Sequence, residues 1–430
     1  MPLNQPLHLP CGAVMPNRLA KAAMTEGLAD ARGVPTEELT RLYGIWSDGG
    51  CGMLLSGNLQ IDRDHLERPG NVILDRELND EEIAAYKRWT SAGTRGGNHF
   101  WAQISHAGRQ TFSMINPHPK APSAVKLGLP GGQFGDPVAL DDAEIEAIIG
   151  KFIRAVRQCQ EVGFTGVQIH AAHGYLISQF LSPRSNQRTD RWGGSLENRA
   201  ALLLRVIEGS REAVGPDFPI SVKLNSADFQ KGGFAFEDSL QVVQWLQTRG
   251  VDLIEISGGT YEQPKLLGIE GMEPADDPAV ADSTIAREAY FVDFAKAMKD
   301  AVDVPLMVTG GFRSRAAMEQ AVESGAADVV GLGRPLCVAA DGAKQILEGA
   351  DTLPTVEKEL SLFPPILQFL NGVNALRAAA GFATQFWFYM QIYALGRTGK
   401  TDPDLSVFKA WRSVEKEHKD RLQAMRSATG

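Results

Sequence analysis

The chain is poor in cysteine. Only Cys11, Cys51, Cys159 and Cys337 occur in 430 residues, and none of them forms a CxxC or CxxxC pair. That scatter argues against structural zinc and against an iron–sulfur cluster held by neighbouring thiolates. It suits a reduced, cytoplasmic-type interior. Excess positive charge is missing too. With 43 basic and 52 acidic side chains the formal net charge is −9, which disfavours broad binding to nucleic acid or to an anionic membrane. A single phosphate needs only one or two local cations, so a small basic pocket remains compatible. The N-terminus, MPLNQPLHLPCG, shows no basic region followed by an apolar core, so no secretory signal is expected. A glycine-rich dinucleotide turn after the first strand-like run is also lacking, which counts against an open doubly wound sheet.

What is present is an alternation. Short apolar or β-branched runs recur between longer helical patterns, the mark of βαβ units. The predicted strands are Arg18–Met24, Gly52–Gly57, His99–Ile104, Gly166–Ile169, Ile220–Leu224, Leu253–Ile256, Leu306–Val308 and Val329–Leu332. Predicted helices fall at Asp80–Ala92, Asp142–Val162, Asn198–Val214, Phe236–Arg249, Ala286–Val302 and Arg313–Ser324, with Asp141 as an N-cap and Gly163 and Gly250 as stops. Eight strands with interleaved helices predict an α/β fold, a TIM (β/α)8 barrel with long βα loops. The two long loops are Ala107–Leu140 and Gly258–Ser283, either of which can select substrate or serve packing.

From about Leu360 the character changes. Phe363–Gly396 is apolar and aromatic but is interrupted by Asn374, Arg377, Gln385 and Gln391, so a membrane-spanning helix is not expected. The expected organisation is a barrel over residues 1–355 and a C-terminal helical extension over 356–430. The extension is expected to pack on the barrel or on another subunit of a homo-oligomer, with a solvated last helix over Ser413–Gly430.

The candidate chemistry lies at strand ends. His170-Ala171-Ala172-His173-Gly174-Tyr175 follows the fourth strand, where a barrel keeps its reactive groups. Two imidazoles can donate to one oxygen that gains negative charge, and a phenol can supply a proton. Zinc ligation by the histidine pair is the competing reading, since a third ligand could lie anywhere in the chain. Lys223 is a cation flanked by apolar residues. Thr309-Gly310-Gly311-Phe312-Arg313 and Gly331-Leu332-Gly333-Arg334-Pro335 end strands seven and eight, where barrels commonly bind phosphate.

The stretch QIHAAHGYLISQFLSPRSNQRTDRWGGSLENR, Gln168 to Arg199, resembles the old yellow enzyme family of FMN-dependent ene-reductases, and the resemblance covers roughly the first 350 residues. It implies that NADH or NADPH reduces a bound FMN, which then reduces the activated C=C bond of an α,β-unsaturated carbonyl or nitro compound. It implies that His170 and His173 bind the substrate oxygen and that Tyr175 protonates the α-carbon. Ala22, Ala23, Met24, Thr25, Gly57 and Gln103 would line the flavin ring. Lys223 would stand where many relatives have arginine, and Gly310, Gly311, Gly333 and Arg334 would hold the phosphate. Thr25 stands where one branch carries cysteine, so branch-specific substrate contacts do not transfer. The part of the motif after Ser182 is expected to be architectural. Some related flavin barrels hold an iron–sulfur centre in a cysteine cluster that this sequence lacks. Three alternatives stay open at this stage: a related FMN dehydrogenase or demethylase working in the oxidising direction, a zinc hydrolase on the same barrel, and a non-catalytic flavin-binding protein, against which the intact His170, His173 and Tyr175 set argues.

Overall fold

The computed structural model describes residues 1–129, 132–259, 294–363 and 374–429. Among these, eight parallel strands close on themselves: β1 (Leu19–Lys21), β2 (Met53–Gln60), β3 (His99–Ser105), β4 (Val167–Ala171), β5 (Ile220–Asn225), β6 (Leu253–Ser257), β7 (Leu306–Thr309) and β8 (Val329–Leu332). Closure is made by β8 against β1 (Val330 beside Leu19) and β1 against β2 (Ala20 beside Met53). This is the expected TIM barrel. The first strand is shorter than predicted because the chain leaves the ladder at Ala22. The second is longer and carries a register irregularity between Leu55 and Asn58.

Helices cover the outside. The predicted cap at Asp141 forms a capping box with Glu144, and Asn79 forms another with Glu82, each satisfying otherwise orphaned helix N–H groups. Gly163 and Gly250 take positive φ, 95° and 74°, just past the helices that they end. A helix over Glu37–Asp48 lies outside the predicted set. Of the predicted helix Ala286–Val302, residues 294–299 are helical and residues 286–293 lie outside the described residues, as does most of the Gly258–Ser283 loop.

The barrel lumen has two layers. Its base is apolar: Ala20, Met53, Leu55, Trp101, Leu253, Met307 and Val329 pack with Leu7, Leu9 and Met15. The latter come from an N-terminal hairpin of Leu7–His8 against Val14–Met15 that plugs this end. Above that layer the interior turns polar, with Gln103, Gln168, Lys223 and Glu255 all buried. A polar layer under the strand C-termini puts chemistry at one mouth only.

The C-terminal segment forms two helices, Asn374–Thr398 and Val407–Thr429. They pack on each other, and the first of them packs on the Glu37–Asp48 helix. Among the described residues, no helix is long and apolar enough to cross a membrane.

Candidate active site

After β4 the chain turns sharply through His173, whose φ of 62° is unusual for a side chain with a Cβ. Neighbouring segments hold that turn. The His173 N–H donates to Asn225 Oδ1 at 3.1 Å, and Gln110 Nε2 donates to the His173 carbonyl at 3.1 Å. The turn gathers three rings. His170 and His173 centroids are 5.2 Å apart, and His170 and Tyr175 are 4.7 Å apart.

Burial sets the charge of both histidines. Loss of solvent pushes the two imidazoles well below their ordinary range. His173 and Lys223 add to this at His170, and Lys223 adds at His173. Both rings are therefore neutral near pH 7. The Ala172 N–H donates to His170 Nδ1 at 3.3 Å, so the neutral ring carries its hydrogen on Nε2. His173 Nε2 lies 2.5 Å from Ser257 Oγ at the end of β6.

Tyr175 is 4% exposed, and its hydroxyl donates to the carboxylate of Glu67. Thr25 Oγ1 donates to the other oxygen of the same carboxylate. Thr25, expected beside the flavin ring, thus spends its hydroxyl hydrogen on Glu67 in this arrangement. Neither Glu67 nor Asn58, which also donates to it, carries a local sequence signal.

The positions expected to line the flavin ring lie along the ends of β1, β2, β3 and β5. Ala22 is buried, while Ala23, Met24 and Thr25 are partly exposed at the mouth. Gly57 does not end its strand. It occupies the irregular stretch of β2, where its N–H donates to Glu26 at 3.0 Å and a Cβ would collide with the Glu26 carboxylate and the Met24 carbonyl. Only glycine permits that approach. Glu26 also accepts from the Tyr43 hydroxyl and stands 3.9 Å from the wholly buried Lys21. Burial lowers the Lys21 ammonium to about 8, against the pull of Glu26.

Deeper in the mouth, Gln103 Nε2 donates to Gln168 at 2.7 Å, Gln168 Nε2 to Glu255 at 2.9 Å, and Lys223 Nζ to Glu255 at 2.8 Å. Lys223 is not an isolated cation: Glu255, unmarked in the sequence, balances it.

The ends of β7 and β8 open outward. Gly310 and Gly311 are exposed, with φ of 130° and 80°. A Cβ at Gly333 would meet only Met24 Sδ, at 3.9 Å. Arg334 is accessible yet surrounded by protein. Desolvation first lowers its ordinary pKa, Glu357 opposes this, and Arg313 repels it. Glu357 pairs with Arg313 at 2.5 Å and attracts Arg334 from further away, so positive charge is in excess there. Among the described residues, the buried Thr309 hydroxyl and Arg313 Nε have no hydrogen-bond partner. This donor set, open glycines beside an excess of positive charge, fits the phosphate end of FMN. The ring positions fit its flat heterocycle.

Ser182 to Arg199 fastens the rim. Asn186 donates to the Phe180 and Trp192 carbonyls, Arg188 to the Pro122 and Leu140 carbonyls, and Trp192 Nε1 to Asp142. These bonds tie the long loop after β3 to the loop after β4. Among the described residues, one group has metal-like spacing: Asp62, His65 and His106. One nitrogen of each histidine is in use: His65 Nε2 accepts from the Lys120 N–H at 2.9 Å and His106 Nδ1 from the Gly108 N–H at 3.0 Å. Lys151 already holds Asp62. Neither His170 nor His173 belongs to it.

Residues 2–352 match the model of the NADH:flavin oxidoreductase / NADH oxidase family. A relative from Hypocrea jecorina (strain QM6a), the NADH-dependent flavin oxidoreductase iliE, is 38% identical over 351 residues, covering 77% of this chain and 86% of that protein. The NADH-dependent flavin oxidoreductase iccE of Talaromyces variabilis is 33% identical over 418 residues, 93% of this chain and 99% of its own length. That match extends into the C-terminal helices. The chain spans only 45% of the iliE relative from Neonectria sp. (strain DH2). Among solved structures, the old yellow enzyme homologue from Zymomonas mobilis superposes with a TM-score of 0.67 at 24% identity, over 84% of this chain and 97% of that one.

Proposed function

Because the chain belongs to the NADH:flavin oxidoreductase / NADH oxidase family, the old yellow enzyme family, we propose that it is an ene-reductase. Its acceptors are the activated C=C bonds of small α,β-unsaturated carbonyl or nitro compounds. The observation that carries this reading is the trio of His170, His173 and Tyr175, two neutral donors beside a buried phenol. Neutral imidazoles polarise an oxygen without handing it a proton, so the substrate stays an electrophile until hydride arrives. When bound, FMN supplies the two-electron chemistry, taking hydride from NADH or NADPH and giving it to the β-carbon of the acceptor.

The remaining steps belong to the chain. His170 and His173 hold the carbonyl or nitro oxygen. Tyr175 delivers a proton to the α-carbon. Ala22, Ala23, Met24 and Gly57 provide a flat backbone seat, while Gln103 and Lys223 meet the ring edge. Gly310, Gly311, Gly333 and Arg334, with Arg313, hold the phosphate. NADH is the reductant named for the fungal relatives, and we propose it here ahead of NADPH. A cytoplasmic setting and a homo-oligomer complete the proposal.

The test is binding of a non-reducible carbonyl ligand to FMN-loaded protein, followed by the flavin absorption shift. His173→Ala should weaken binding about ten- to a hundredfold, the loss of one hydrogen bond to a polarised oxygen, with FMN retained. Unchanged affinity would contradict the assigned role.

A further inference from the structure

The C-terminal helices touch the barrel at its reactive end. Arg421 Nη1 donates to the Ala29 carbonyl in the loop after β1, at 2.9 Å. Arg68, in the loop after β2, donates to the Tyr393 hydroxyl at 2.6 Å, and Arg426 Nη2 donates to the Met114 carbonyl in the loop after β3, at 2.8 Å. Three consecutive loops that follow strand C-termini therefore carry the extension, and in a barrel those loops frame the substrate mouth. The extension itself lies beyond residues 2–352, the part matched by the family model.

Two tyrosines of the Asn374–Thr398 helix meet Arg68 in different ways. Tyr393 is wholly buried, as a ring that only fastens a helix should be. Tyr389 has the Arg68 guanidinium 4.1 Å from its ring centroid, yet part of its surface stays open. Loss of solvent is nevertheless the first cause of its raised pKa, with Arg68 opposing and Glu67 adding. A side chain that is partly open and still desolvated faces a recess rather than the outer surface. His173 has the same pair of properties. Arg68 and Glu67 link Tyr389 to the proposed proton donor: Arg68 Nη1 lies 3.5 Å from the Thr25 carbonyl, and Thr25 and Tyr175 both donate to Glu67.

We propose that Tyr389 is a specificity-determining residue, the wall that limits how far an acceptor extends beyond its activated C=C bond; the role rests on the ene-reductase reading. His170 and His173 hold the acceptor oxygen and Tyr175 stands beside the α-carbon. A substituent reaching past them toward Glu67 and Arg68 next meets the Tyr389 ring. That ring is flat and rigid, and the guanidinium stacked on it fixes its position. Small enones stop short of it, while a large group on that side collides with it.

Tyr389→Ala in the FMN-loaded full chain tests the wall. Reoxidation of the NADH-reduced flavin is compared for 2-cyclohexenone, 2-phenyl-2-cyclohexenone and 4-phenyl-3-buten-2-one, the last two bearing a ring on the α- and the β-carbon. Relative to 2-cyclohexenone, kcat/KM for at least one phenyl enone should rise about tenfold or more, the scale on which a pocket rejects bulk. Tyr389→Phe keeps the ring and should leave that ratio close to native, and Tyr389→Trp should lower it. Affinity for 4-phenyl-2-butanone, a ketone with no C=C bond to reduce, should follow the same order when read by the flavin absorption shift. Native ratios in Tyr389→Ala overturn the proposal. So does a Tyr389→Phe variant that behaves like Tyr389→Ala, since the hydroxyl rather than the ring would then matter. Should Tyr389→Ala not fold, Tyr389→Trp decides, and an unlowered ratio overturns the wall. If none of the three enones reoxidises the native flavin, the ene-reductase reading has failed; reoxidation by 2-cyclohexenone with unmoved ratios sinks the role of Tyr389 alone.

Discussion

The barrel and the C-terminal helices are attached by different means. Barrel strands hold each other through main-chain ladders such as β4 to β5, from Val167 beside Ile220 to Ala171 beside Leu224. The C-terminal helices are held by side chains. Arg68 stacks on Tyr389 and bonds Tyr393, Arg41 Nη1 donates to the Gly396 carbonyl at 2.6 Å, and Arg421 Nη1 donates to the Ala29 carbonyl at 2.9 Å. Backbone pairing is indifferent to the side chain, so the rim of the barrel is free to carry chemistry. The extension has no such freedom. One of its anchors, Arg68, adjoins Glu67, so docking of the extension and the carboxylate that receives the Tyr175 hydroxyl meet at consecutive residues.

The largest effect should come where the rim is purely chemical. Tyr175→Phe removes the proton donor and should slow reoxidation of the flavin by about 10²–10⁴-fold, with little change in thermal stability; stopped-flow reoxidation and a melt check the two halves. Arg334→Ala removes one of the paired guanidinium groups and should weaken FMN binding about tenfold or more, as expected for a charge-assisted bond. Fluorescence titration of the flavin-free protein measures it.

Two smaller effects test the side-chain attachment. Arg68→Met leaves both tyrosine hydroxyls without their cation and should expose the extension to protease before the barrel is cut; simultaneous cutting would erase the contrast. His418, on the last helix, is pushed down to about 3 by burial, with Arg68 and Arg421 reinforcing the shift. Its value in water is 6.5. Between those values the undocked ring takes up a proton that the docked ring refuses, so docking is complete above about pH 6.5 and weakens as pH falls through this window. His418→Phe should remove that acid sensitivity, read by hydrogen exchange of residues 407–429 at neutral pH and near pH 5.

Strand ends were legible in the sequence because apolar runs and glycine turns are local signals. All eight strands lie where those runs stand, and His170, His173 and Tyr175 are gathered by one turn within six residues. The helix Glu37–Asp48 also has a readable signal, since Leu39, Leu42, Tyr43 and Trp46 keep helical spacing after the Thr36 cap. Glu67 had none. Its partners come from four segments separated by as many as 150 residues, from Thr25 to Tyr175, so only the closed barrel brings them together. The same holds for Glu255 against Lys223, which face each other across the β5–β6 register.

The visible spectrum of the purified, FMN-loaded protein tests the central claim most directly. It should be titrated without oxygen, first with NADH and then with 2-cyclohexenone. The account predicts a flavin band that bleaches with NADH and returns with the enone. A protein that binds no FMN, or a bleached flavin that the enone leaves bleached, would contradict it.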